Sequence, residues 1–265
     1  MKYSNKFGLP EAFVRAVIND PYTKGASDFS ATGLANPPRA TALIEKYESE
    51  IEVDVSSRVA SIIGQGSHFV AERAARKGVD LCEERIRADF IVDGKSYKIS
   101  AQVDLFEKDT GNLLDWKTTK AYAFSRKAGS GKKPEWIEQL NIGAELLRRN
   151  GYDPKRLTII AMLKDWNKRE AGTAGMPESE VMAVELPMWT PEETTLHIEN
   201  RVRLHVAAKT HLPDCTSSET WGGNRCNGGW CDASSVCEQF KQSHKTGRIT
   251  TDTVLDGVFP VRKSK

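Results

Sequence analysis

Apolar positions in the stretch DVSSRVASIIGQGSHFVAERAARKG recur at helical spacing, at Val59, Ile62, Ile63, Phe69 and Val70. That period predicts a helix with one buried side, capped by Asp54 or Ser56 and ending at Gly78. Two shorter helical patterns precede it, near 10–19 and 38–50. A β-meander follows, with strands expected around 86–93, 96–107 and 112–117. Asp93-Gly94 and Asp109-Thr110-Gly111-Asn112 are its turns. A basic, glycine-containing loop, KAYAFSRKAGSGKKPEW, leads into a helix over 134–149 that stops at Asn150-Gly151. Strands are expected near 156–164 and 181–186. Thr190-Pro191-Glu192-Glu193 then starts a helix to about Lys209, with Thr190 as cap and Glu193 three residues on. The order of helices, meander, helix, strands and helix describes an α/β sandwich around a central mixed sheet rather than a βαβ repeat.

At 265 residues the chain has enough length for one core with an appendage. The expected division is a helical segment over 1–53, a core over 54–210, a cysteine-rich lobe over 211–240 and a tail over 241–265. Charged residues make up 28%, and the net charge is only +2, so any nucleic-acid partner must be met by a local basic groove. No run of about 18 apolar residues exists, and MKYSNKFGLPEAF lacks the apolar stretch of an export signal, so a cytoplasmic protein is expected. Of five cysteines, Cys215, Cys226, Cys231 and Cys237 fall close together. In a reducing compartment such clustering favours metal over disulfides.

The stretch AQVDLFEKDTGNLLDWKTTK, residues 101–120, carries the chemistry. If its hairpin turns about Asp109-Thr110, residues whose numbers sum to 219 oppose each other, and Asp104 faces Asp115. Two carboxylates so placed repel unless a cation lies between them, and hard oxygen pairs suit Mg²⁺ or Mn²⁺. Lys117 shares the face of Asp115, because strand side chains repeat every two residues. An ammonium there can orient a water and neutralise charge developing on a phosphate. His68 and Glu72 sit four apart on the preceding helix, and Gln139 lies on the one that follows. Each of these signals alone also fits an ordinary solvated charge.

Their order, helix with His, strand with Asp, strand with D-x-K, helix with Gln, resembles the PD-(D/E)XK nucleases of the RecB-like branch. CRISPR-associated, AddB-type and phage exonucleases belong to that branch. GQGSHFVAE, AQVD, LLDWKTT and EQLNIGAELL carry the resemblance over about 64–150. It implies a restriction-endonuclease-like core, with His68, Asp104, Asp115 and the carbonyl of Trp116 as metal ligands. Lys117 would be the catalytic lysine, Gln139 would position it or the substrate, and Glu72 is a further possible ligand. Val103 stands where the motif has proline. Gly143 stands where relatives often place a tyrosine that helps hold the substrate.

In CTSSETWGGNRCNGGWCDASSVC the gaps between cysteines are ten, four and five residues, with no C-x-x-C pair. Four thiolates there can hold Zn²⁺ or a [4Fe–4S] cluster. The resemblance favours the cluster, although relatives usually place one cysteine upstream. Cys82 reads as a small inert residue. WGGNRCNGGW has too little apolar content to order itself, so a metal is expected to close these loops on the core.

In the basic loop, Lys120, Arg126, Lys127, Lys132 and Lys133 interleave with Tyr122, Phe124 and Trp136. Cations for phosphates and aromatic faces for bases suit a DNA end or single strand. GSGKK lacks the first glycine of a phosphate-binding loop, which argues against ATP. The expected activity is a metal-dependent DNA exonuclease of phage or bacterial recombination or replication. A non-catalytic nucleic-acid-binding protein and an RNA-cleaving enzyme are the alternatives.

Overall fold

The computed structural model describes residues 1–20, 25–124, 130–173 and 176–246. Its elements are β1 (Lys2–Ser4), α1 (Glu11–Ile18), β2 (Phe29–Ser30), α2 (Ala31–Ala35), α3 (Pro38–Lys46) and β3 (Glu52–Asp54). Then come α4 (Val59–Ala71), β4 (Leu81–Val92), β5 (Lys95–Glu107), β6 (Asn112–Thr119) and α5 (Pro134–Arg149). The last are β7 (Arg156–Leu163), β8 (Val181–Leu186), α6 (Pro191–Ala207), α7 (Asn224–Asn227) and α8 (Glu238–Thr246). Among the described residues, no helix is long and apolar enough to cross a membrane.

β1 and β3 form a small parallel pair, and the other six strands make a mixed sheet flanked by helices. Strand β5 is its spine. One edge of β5 pairs antiparallel with β4 along most of its length. The other edge is shared: β2 runs parallel to it at Ile99 and Ser100, and β6 runs antiparallel to it only from Leu105 to Glu107. Between those two ladders, Ala101 to Asp104 have no strand partner on that edge among the described residues. β6 meanwhile follows β7 in parallel over its whole length, so it leaves β5 after Leu114. The sheet therefore forks just beyond the hairpin turn.

Local chemistry explains the hairpin. The pairs Leu105 with Leu114, Phe106 with Leu113 and Glu107 with Asn112 each sum to 219, the register expected from the turn. Gly111 makes it possible. Its φ is +69°, and a Cβ there would stand 2.7 Å from the Asp153 carbonyl, so a side chain would meet both strain and collision.

The main core lies between the sheet and α2, α5 and α6. Ile142, Leu146 and Leu147 of α5 are fully buried, and burial of side chains of this size contributes roughly 1.5–3 kcal/mol each. Thr190 and Glu193 exchange the two bonds of a capping box, which starts α6 where the sequence places it.

Two sequence expectations need correction. The helix ending at Gly78 is shorter: 3₁₀ turns over Val55–Arg58 and Glu72–Ala74 bracket an α-helical segment of 13 residues. Its apolar side is also not covered. α4 rests on β5 and β6, its Ser67 is buried, and Val59, Ile63, Phe69 and Val70 are exposed. Helical periodicity marks which residues share a face, but the sheet meets α4 along a different face.

Candidate active site in a fork of the sheet

Four elements deliver side chains to the fork: α4 brings His68, β5 Asp104, β6 Asp115 and Lys117, and α5 Gln139. All five line one cleft of about 830 Å³. Asp104 and Asp115 are each only 5% exposed. They occupy the first rung past the last ladder pair, and a side chain replaces the missing backbone bond. The Trp116 N–H donates to Asp104 Oδ2 at 2.9 Å. It is thus the amide of Trp116 that engages Asp104.

Gln139 Nε2 donates to Asp115 Oδ1 at 3.2 Å, and Lys117 Nζ lies 2.6 Å from Asp115 Oδ2. Lys117 is therefore the ion-pair partner of the buried Oδ2. Burial raises the Asp115 carboxyl to about 6, against the opposing pull of Lys117. An oxygen so placed suits a cation. His68 Nδ1 lies 3.3 Å from Asp104 Oδ1, and the bonds to Asp104 and Glu83 push the imidazole up to about 10. A proton there occupies the place a cation would take.

Glu83 belongs to the site, although no motif pointed to it. Its Oε1 is 3.2 Å from His68 Nδ1. Ligand atoms of His68, Glu83 and Asp104 all lie within 4.8 Å of one another, and among the described residues no other such group of three or more exists. Glu72, which helical spacing pairs with His68, is exposed in the turn after α4 and contributes no atom. The signal for Glu83 was present. Asp93 and Gly94 sum to 187, as do the ladder pairs of β4 and β5, and Glu83 with Asp104 is the one position that ladder skips, between Cys82 with Leu105 and Glu84 with Val103. Glu83 also adopts φ +51°, a left-handed conformation that costs a non-glycine residue roughly 1–2 kcal/mol.

Beyond β6, Lys120 and Tyr122 are exposed, as is Lys132. Lys133 is half-buried over the Trp136 ring, 4.5 Å from its centroid, and burial lowers its pKa. Arg126 and Lys127 lie outside the described residues.

A second cavity, of about 330 Å³, is lined by Cys215, Cys226, Cys231 and Cys237 together with Arg39. All four are free thiols, and Cys82 on β4 is apart from them. Cys226 and Cys231 are in side-chain contact, but no three of the four sulfurs all lie within 4.8 Å of one another. Burial pushes the Cys215 thiol up to about 12 and raises those of Cys226 and Cys231. Arg39, itself buried, donates to Cys237 Sγ at 3.4 Å and to the Pro213 carbonyl and Asp214 Oδ1 at 3.2 Å each. A small apolar cluster, Leu43 with Ala233 and Cys237, seats this segment on α3.

Among known proteins, no family model matches this chain, and no curated protein matches it. A solved structure described as "Crystal structure of SSO0001" aligns with 86% of this chain and 95% of its own, at a TM-score of 0.58 and 16% identity. That likeness concerns the fold alone.

Proposed function

We propose that this chain is a divalent-cation-dependent nuclease of the PD-(D/E)XK type with a restriction-endonuclease-like core, acting as an exonuclease on DNA ends. One observation carries this reading: His68, Asp104, Asp115, Lys117 and Gln139, from four separate elements, converge on one cleft where the sheet forks. The donor set fits Mg²⁺ or Mn²⁺, since the buried carboxylates of Asp104 and Asp115 line the cleft together with the His68 imidazole. His68, Asp104 and Asp115 would hold the cation, with the Trp116 carbonyl as a backbone ligand. When bound, it supplies positive charge to the scissile phosphate.

The chain's own groups do the rest. Gln139 holds Asp115 Oδ1, which leaves Oδ2 turned to the cleft. Lys117 orients the attacking water and neutralises charge growing on the phosphate. The water oxygen bonds to phosphorus and gives up a proton to solvent as the bond to the 3′ oxygen breaks, and that oxygen takes a proton from solvent. Lys120, Tyr122, Lys132 and Lys133 beyond β6 track the strand. The four-cysteine cavity offers its thiols, with Arg39 donating to Cys237 Sγ, to an accessory metal group, which we assign as a [4Fe–4S] cluster with Zn²⁺ as the alternative. Its role is structural.

Asp115→Ala and Lys117→Ala are expected to abolish cleavage of end-labelled DNA in Mg²⁺ and Mn²⁺ while circular dichroism stays native. Undiminished cleavage by both variants would sink this site, and cutting of closed circles would remove the exonuclease reading.

A further inference from the structure

Beside the fork, β4 and β5 carry a polar face on which two arginines stand in line. Gln102 Nε2 donates to Glu83 Oε2 at 2.6 Å, and Arg85 Nη2 donates to Gln102 Oε1 at 2.9 Å, so these three side chains share that face. Arg87 follows two residues after Arg85. It is paired with Ser100, whose hydroxyl Arg85 Nη1 also reaches, at 3.5 Å. We propose that Arg85 and Arg87 form a phosphate-binding row that holds a single DNA strand along β4, next to the phosphate that is cut. The row deepens the nuclease reading and rests on it for where the strand is cut, though not for the binding itself.

Charge is the first argument. The residues across from the two arginines on β5, Gln102 and Ser100, are neutral. Elsewhere the chain sets arginine against carboxylate, as in Arg76 with Asp80 and Asp109, Arg149 with Glu145, and Arg203 with Asp93. Arg87 is exposed, and its Nη1 donates to the Arg85 carbonyl at 3.4 Å, which draws the guanidinium toward its neighbour. Two cations kept together without an acid across from them suit an anion, and the carboxylates of the cleft would otherwise repel one.

Spacing is the second argument. Two residues of strand advance roughly 6.8 Å, close to the step that an extended sugar-phosphate backbone makes in one nucleotide. Arg85 and Arg87 therefore meet successive phosphates. The row ends there, because on the next rung of the same face Asp89 is paired with Lys98 and their charges cancel.

The cleft decides the kind of strand. Arg85 lines it together with Ser61 and Gln65 of α4 and with Ser30 and Thr32 at the start of α2. Its volume of about 830 Å³ is that of a site for one drug-sized molecule, enough for a short run of unpaired nucleotides and too small for a duplex. Arg85 and Arg87 belong to the β4–β5 prong of the fork, whereas Lys120 and Tyr122 follow the end of β6 on the other prong. The two sets of cations thus flank the fork from opposite sides.

Binding of a fluorescent oligo-dT strand and of a blunt hairpin duplex to the full chain, in EDTA so that nothing is cut, tests the row through its salt dependence. For a single strand, each phosphate contact adds about 0.7 to the slope of log affinity against log salt. Arg87→Gln is expected to weaken single-strand binding about 10-fold and to lower the slope by about 0.7; with Arg85→Gln added, by about 1.4. Arg87→Lys keeps the charge and should keep the slope. Arg85 also holds Gln102, so the exposed Arg87 serves alone if the double variant does not fold. An unchanged slope in Arg87→Gln overturns the proposal, and an equal loss on the duplex overturns the single-strand assignment. Cleavage assays of the wild type in Mg²⁺ and Mn²⁺ separate the two readings. Cleavage together with an unchanged slope in Arg87→Gln retains the nuclease and removes the row, whereas a lowered slope without cleavage of any DNA retains the row and removes the nuclease.

Discussion

Asp104 accepts the backbone N–H of Trp116 at 2.9 Å, so a carboxylate takes the place of a strand's carbonyl where β5 and β6 part. One oxygen of Asp104 thereby holds the fork together while the other faces His68.

The two duties of Asp104 separate on substitution. Asp104→Asn keeps an oxygen for the Trp116 amide and should retain the wild-type melting temperature while losing divalent-ion binding. Asp104→Ala leaves that buried amide unpaired, which costs about 1–3 kcal/mol. Thermal unfolding of the two variants, with and without Mn²⁺, checks both statements; equal melting temperatures without metal would refute the structural duty.

Acid sensitivity is expected at a place remote from the cleft. His205 on α6 is buried beside Leu34, its Nε2 3.3 Å from that carbonyl, and burial, aided by the Arg201 charge, lowers its pKa from 6.5 to about 4. Between these values the unfolded chain binds a proton that the folded chain refuses. Stability from this group is therefore complete above pH 6.5 and lost as pH falls toward 4, by up to about 3 kcal/mol. Urea unfolding at pH 7.5 and 4.5 should show a smaller loss for His205→Gln than for the wild type.

Loading of the cysteine cavity is expected to protect the segment that carries it. Anaerobically prepared protein should be brown and contain iron, and chelation should speed proteolytic cleavage between 213 and 240. Arg39→Leu removes the donor to Cys237 Sγ and the Pro213 carbonyl, and should lower iron content and raise the same cleavage rate. Zinc at one per chain would replace the cluster assignment.

Much of the fold was legible because its signals are local. Thr190-Pro191-Glu192-Glu193 contains its own cap, and α5 and β8 begin and end where periodicity and Asn150-Gly151 place them. The hairpin register followed from one turn about Asp109-Thr110, which sets the sum of 219 that the ladder pairs keep. The same arithmetic at Asp93-Gly94 reaches Glu83, which no motif marks. Burial of α4 was misjudged for the opposite reason: period shows which residues share a face but not what lies against it.

The sequence alone determined α5, the start of α6, the strand β8 and the register of the β5–β6 hairpin, because turns, caps and side-chain period act over a few residues. Only the tertiary structure decided that β2 and β6 share one edge of β5 and leave a gap there. That gap depends on where β2, some seventy positions earlier in the chain, meets Ile99 and Ser100, and on β7 drawing β6 away. Contacts between segments so distant carry no local signature. They alone turn a buried pair of carboxylates into the wall of an open cleft.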